Sequence, residues 1–95
     1  MPEIKKTRIE FSKRFEKQLL KAPLSVRVAV RRRIERFLHN PREPRLRDHA
    51  LTGNYRGFRS INITGDWRAI FSEESLKGIK VVRFYVLGTH SQLYR

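Results

Sequence analysis

Cysteine is absent from this sequence, and acidic residues are scarce, with nine Asp and Glu against 22 Lys and Arg. The first absence removes disulfides, thiolate nucleophiles and thiolate metal sites together, so stability must come from packing. Long apolar runs are missing as well. None approaches the ~20 residues of a membrane-spanning helix, and the charged start lacks the apolar stretch of a signal peptide. The expectation is a cytoplasmic protein with no membrane partner. There is no HExxH, no carboxylate cluster and no second histidine three or four residues from the first, which argues against a metal site. The five glycines form no phosphate-binding loop. Ser91 neighbours His90, but no carboxylate is placed to orient that imidazole, so a serine triad is poorly supported. No cofactor is expected.

What is present is positive charge. A formal net charge of +13 on 95 residues favours close approach to polyanions, with nucleic acid the leading class. An acidic protein or an anionic membrane surface would satisfy the same field. The length suits one domain, residues 1–95, with a single core.

Periodicity divides the chain in two. Residues 7–10 suit a short extended segment, after which Ser12 can N-cap a helix with Phe11, Phe15 and Leu19 at helical spacing. Pro23 closes it. A second helix is expected over 25–39, with Val26, Val30, Ile34 and Phe37 on one stripe and Asn40-Pro41 as the stop. Two short helices bury little by themselves, so a sheet is needed to cover them. Residues 41–54 show neither period and read as a turn-rich connector. Strands are expected over 57–63, 67–72 and 79–87, separated by turns at 64–66 and 73–78. The last run is apolar on both faces and therefore interior. The resulting fold is α+β: an N-terminal strand and a helical hairpin on one face of a twisted antiparallel sheet, whose other face can present cations.

Chemistry concentrates in three segments, Asp48 to Gly53, Gly65 to Arg68 and Gly88 to Tyr94. His49 is either a solvated loop residue or a proton-transfer group. His90 follows the last strand, where side chains from neighbouring connections can converge. His39, at a helix C-terminus, suits the helix dipole and has no expected catalytic role. Asp66 is explained by a Gly-Asp turn as well as by catalysis. Trp67 is a core or rim aromatic, or a platform for a base; Tyr94 pins the chain end, or stacks on a base. Most arginines are generic phosphate contacts. Arg59 and Arg68 differ because they lie in strands near the histidines, able to grip a phosphate or to pair with Asp66, Glu73 or Glu74.

The ordered set of a basic helical start, His49-Ala-Leu-Thr-Gly-Asn-Tyr-Arg-Gly-Phe-Arg59, Gly65-Asp-Trp-Arg68 and Gly88-Thr-His-Ser-Gln-Leu-Tyr94 resembles the RelE/ParE superfamily of toxins, and within it the YafQ branch. The likeness spans essentially the whole chain. It implies a metal-independent, ribosome-dependent endoribonuclease of a type II toxin-antitoxin system, which cuts mRNA in the ribosomal A site beside rRNA. The partner it implies is a cognate antitoxin, assembled with the toxin into a heterotetramer. Carried onto matching positions, His49, Asp66 and His90 supply acid-base chemistry, Arg68 stabilises the phosphate, Trp67 and Tyr94 orient or stack on RNA, and Arg59 is a further basic position. Asn62 stands where the branch leads one to expect another histidine; an amide can hydrogen-bond RNA but cannot shuttle a proton near neutral pH. Two alternatives use the same charge without the histidines: a ParE-like inhibitor of DNA gyrase and a non-catalytic RNA-binding module.

Overall fold

The computed structural model describes residues 6–94. Strand β1 (Thr7–Phe11) leads into helices α1 (Lys13–Lys21) and α2 (Leu24–His39), followed by β2 (His49–Ala50), β3 (Arg59–Asn62), β4 (Trp67–Leu76), β5 (Ile79–Thr89) and a terminal turn of helix, α3 (His90–Leu93). The sheet order is β1-β5-β4-β3-β2. Among the described residues only β1 runs parallel to its neighbour, pairing with β5; the other pairs are antiparallel. The α+β expectation holds, and β5 is interior as its two apolar faces require.

Ser12 starts α1 as its sequence suggests: its Oγ accepts from the Phe15 N–H at 3.0 Å and donates to the Tyr85 carbonyl at 2.6 Å. Gln18 Oε1 then accepts from the Leu87 N–H at 2.8 Å. Beyond the end of β1, polar side chains of the α1 region thus satisfy the exposed edge of β5, which would otherwise be left to pair with another chain. The helices pack on one face of the sheet through Phe15, Val26, Val30 and Phe37 against Phe71, Val82 and Phe84.

Four expectations are corrected. The run 73–78 is not all turn: β4 continues to Leu76, and only Lys77 and Gly78 turn the chain, at φ 49° and 81°. Two consecutive left-handed residues match the twist of a tight hairpin, and the Glu73–Lys80 ion pair at 3.0 Å bridges the polar strand ends diagonally. The connector 41–54 contains β2, so the described residues form a five-stranded sheet rather than an N-terminal segment and a three-stranded meander. Gly88 and Thr89 belong to β5 rather than to a turn. The face away from the helices is not simply a cationic surface either. It carries a second, smaller core in which Ile70, Val86 and Leu93 meet Leu51, Tyr55, Phe58 and Tyr94.

A bulge creates that second core. Phe71 pairs with Phe84 and Ile70 with Val86, so Tyr85 is the extra residue on β5. Tyr85 stacks on Phe58 at 5.2 Å while Val86 joins Ile70; both therefore face away from the helices. The phase shift carries Gly88 onto the same side, opposite Arg68.

Candidate active site

The rows of the cleft face follow from register. His49 pairs with Ser60, and Ser60 with Ile70, in one row; Asn62, Arg68 and Gly88 form the next. His49 on β2 and Arg68 on β4 are separated by one row, about 7 Å along the strands, and by two strand spacings, about 10 Å across them, so their side chains border the same opening from opposite sides. Over these rows opens a cleft of about 700 Å³, lined by His49, Asn62, Arg68, His90 and Tyr94 together with Arg47 and Asp48.

Local devices aim each group. Arg47 is a non-glycine residue in the left-handed region, at φ 49°, a conformation that costs about 1 kcal/mol or more. Its carbonyl lies 2.7 Å from His49 Nδ1. A carbonyl only accepts, so Nδ1 carries the proton and the neutral ring has its lone pair on Nε2. Arg68 Nη1 lies 3.1, 3.2 and 3.1 Å from the carbonyls of Thr64, Gly65 and Trp67. These contacts tie one corner of the guanidinium to the β3–β4 turn.

The third device is α3. Thr89 Oγ1 accepts from the Gln92 N–H and Gln92 Oε1 from the Thr89 N–H, a reciprocal capping box. The turn folds back closely over Gly88 of β5: a Cβ there would sit 3.1 Å from Gln92 Oε1 and 3.2 Å from Leu93 Cδ2, tighter than an ordinary contact. Its first residue, His90, donates its backbone N–H to the Asp66 carbonyl at 3.0 Å, and its ring packs 4.8 Å from that of Tyr94. Tyr94 in turn meets Tyr55 edge-on at 6.1 Å. The cleft wall is thus a short aromatic ledge with an imidazole at its end.

Five of the eight residues singled out in the sequence come together here: His49, Asn62, Arg68, His90 and Tyr94. Asp66 is exposed on the turn beside α3 and meets the site through its backbone carbonyl. Trp67 points the other way from Arg68 and packs against the helix-side core. Arg59 also lies on the helix side, its neighbour across the strands being Phe71. Its Nε donates to Asp48 Oδ1 at 2.7 Å, so its partner is none of the three acidic residues considered from sequence. Asp48 lies between the cleft and a second concavity of about 450 Å³ that includes Arg59.

Sequence reasoning assigned no individual role to Asp48 or Gly88 and left Arg47 among the generic phosphate contacts. The pattern Thr89-x-x-Gln92 was the available signal for α3, and a glycine just before it marks where a helix can press on a strand. Among the described residues no three His, Asp or Glu side chains gather as a metal-ligand set. Chemically the cleft offers two imidazoles, a fixed guanidinium, an amide and a phenol around one opening.

This fold is that of RelE/ParE-type toxins. It matches the YoeB/ParE toxin from Agrobacterium tumefaciens with a TM-score of 0.71 and 12% identity, covering 87% of this chain and 98% of that one. YafQ from E. coli strain BL21(DE3) matches with a TM-score of 0.61 and 23% identity, over 95% of this chain and 100% of that one. The E. coli DinJ-YafQ complex matches with a TM-score of 0.65 and 23% identity, over the same shares. Comparison with curated proteins gives no significant match. The model of the family of YafQ toxins, bacterial toxins of type II toxin-antitoxin systems, matches residues 7–95, and the chain belongs to that family.

Proposed function

We propose that this toxin is a ribosome-dependent mRNA endoribonuclease that cuts without a metal ion. The carrying observation is the convergence of His49, His90 and Arg68, from three separate elements, on one cleft. RNA brings its own nucleophile, so the protein must remove the 2′-hydroxyl proton, stabilise charge on the phosphorus and protonate the leaving oxygen. His49 Nε2 takes the 2′ proton. The 2′ oxygen bonds to phosphorus as the bond to the 5′ oxygen breaks, and His90 protonates that oxygen, leaving a 2′,3′-cyclic phosphate and a 5′-hydroxyl.

Arg68 holds the phosphate with the guanidinium edge left free by its turn contacts. Tyr94 supports the base, and Asn62 hydrogen-bonds RNA in place of a proton carrier. Asp66, the other base expected from the sequence, lies outside the cleft lining and serves this reading by holding His90 through its carbonyl. Trp67 and Arg59, on the opposite side of the sheet, serve this reading by packing and by holding Asp48 rather than by touching the reacting phosphate. By analogy with the DinJ-YafQ complex, the chain pairs with a cognate antitoxin. The ribosomal A site supplies the mRNA.

The test is to map 5′ ends of cellular mRNA after brief expression of the parent, His49→Ala and His90→Ala chains. General acid-base catalysis contributes about 10²- to 10⁴-fold, and each folded variant should lose cutting on that scale. Parental cutting by both would overturn the site assignment. Arrest of growth without new mRNA ends, unaffected by either substitution, would favour a gyrase inhibitor or a non-catalytic RNA binder.

A further inference from the structure

The aromatic ledge does not end at the cleft. Tyr94 lines the opening, packs 4.8 Å from His90 and meets Tyr55 edge-on at 6.1 Å. The Tyr55 carbonyl accepts from the Phe58 N–H at 2.9 Å, and the Phe58 ring stacks on Tyr85 at 5.2 Å with the two planes 29° apart. Tyr55, Phe58 and Tyr94 all pack on the small core of Ile70, Val86 and Leu93. Four rings therefore lead away from the cleft along the sheet face that is turned from the helices.

Covering that core explains the apolar edges of the rings but not their exposure. Aliphatic side chains would cover Ile70 and Val86 as well without offering π faces. Tyr85 is 37% exposed although β5 is an interior strand, and the bulge is what turns it to this side.

Charge follows the rings. Val82 and Phe84 lie in the helix-side core, so Arg83 between them faces away from the helices. It is exposed and forms no ion pair among the described residues. Gly88, the partner of Arg68, lies about 15 Å along β5 from Arg83, so the rings run between two cations. Beyond them Glu74, exposed on the same face as Ile70, ends the positive run. Rings set between cations suit a single strand, whose bases stack while its phosphates need neutralising.

The direction of the strand follows from the chemistry of the cut. His90 protonates the leaving 5′ oxygen, which belongs to the nucleotide on the 3′ side, and Tyr94 is the ring beside His90. Resting on the mRNA-cutting reading, we propose that Tyr55, Phe58 and Tyr85 form a stacking track for the unpaired bases 3′ to the cut, with Arg83 holding the backbone at its far end. The track takes single-stranded RNA of any composition, because every base has a π face.

In a His90→Ala background, affinity is measured for a short single-stranded RNA and for the same RNA lengthened by about three nucleotides at either its 3′ or its 5′ end. The 3′ extension should tighten binding about tenfold, and the 5′ extension much less. Tyr85→Leu keeps an apolar cover over the second core and should cancel the 3′ gain, whereas Tyr85→Phe keeps the ring and should retain it. Abasic nucleotides in the 3′ extension keep the phosphates and remove the bases; they should cancel the gain with the track itself unaltered. Equal gains from the two ends, or a 3′ gain that survives the abasic nucleotides, would mean that only the general field acts, and the proposal would be wrong. It would be equally wrong if Tyr85→Leu, folded by its thermal melt, kept the gain and lost only the antitoxin. No 3′ gain, alongside cutting by the parent that His90→Ala abolishes, would sink the track and leave the cleft reading standing. A 3′ gain that depends on Tyr85, in a parent that cuts no mRNA, would do the reverse.

Discussion

The two faces of the sheet are built to different standards. On the helix side Phe15, Phe37, Phe71 and Phe84 are buried and their rings meet at 5.2 to 6.4 Å. On the other side, among the described residues, only Ile70, Val86 and Leu93 form the buried apolar cluster, and the next row is Asn62, Arg68 and Gly88. One side of the sheet holds the protein together, which frees the other to carry polar groups whose burial would be costly. The bulge at Tyr85 marks where the second side begins to serve the cleft.

The largest effect should come from breaking the strong face. Phe84→Ala removes a fully buried ring that packs against Phe11, Phe15, Phe37 and Phe71. It should cost about 3–5 kcal/mol, read as a fall in the urea midpoint at unchanged slope. A loss below about 1 kcal/mol would mean that the helix-side core is not the main source of stability.

Next comes the support of the cleft. In Gly88→Val the added atoms meet Gln92 and Leu93, and overpacking of this kind costs about 1–3 kcal/mol. Because α3 carries His90 and Tyr94, cutting should fall further than stability does. If amide spectra showed α3 undisturbed and cutting were parental, Gly88 would have no role in aiming His90. A smaller change is expected from Asp48→Asn, which weakens the pair with Arg59. Arg59 is 38% exposed and Asp48 14%, so the loss should stay near the ~1 kcal/mol scale of partly solvated ion pairs. Thermal melts at low and high salt check it, the difference between parent and variant shrinking as salt rises.

The strong face was legible in the sequence, and the weak one only in part. The helices announce themselves by apolar spacing and by Ser12, because a helix is specified by contacts within itself. The strand β2 does not. Two residues, His49 and Ala50, carry no periodicity, and they become a strand only because β3 offers an edge. The parallel pairing of β1 likewise depends on a partner some 70 residues away in sequence. Adjacent positions were the clearest missed signal. Trp67 and Arg68 are consecutive in a strand, so alternation allows only one of them to face the cleft. The same parity separates Arg59 from Asn62. The histidines were legible as residue types, but their convergence needed the bulge, the αL turn at Arg47 and the close approach at Gly88.

The smallest predicted effect probes the boundary between the faces. Ser60 is fully buried between His49 and Ile70 in the cleft-side row, and its hydroxyl has no hydrogen-bond partner among the described residues. A buried polar group left unsatisfied costs about 1–3 kcal/mol, so the site is poorer than its packing suggests. Ser60→Ala deletes the orphan oxygen at the expense of a small void and some strand preference. The opposing effects should leave stability within about 1 kcal/mol of the parent, on the stabilising side, by chemical denaturation. Cutting should not change, since His49 is held through Arg47 and not through Ser60. A loss above 1 kcal/mol would show that the hydroxyl is satisfied after all, by a buried water or by movement of β2, and that the polar cleft extends one row deeper into the sheet.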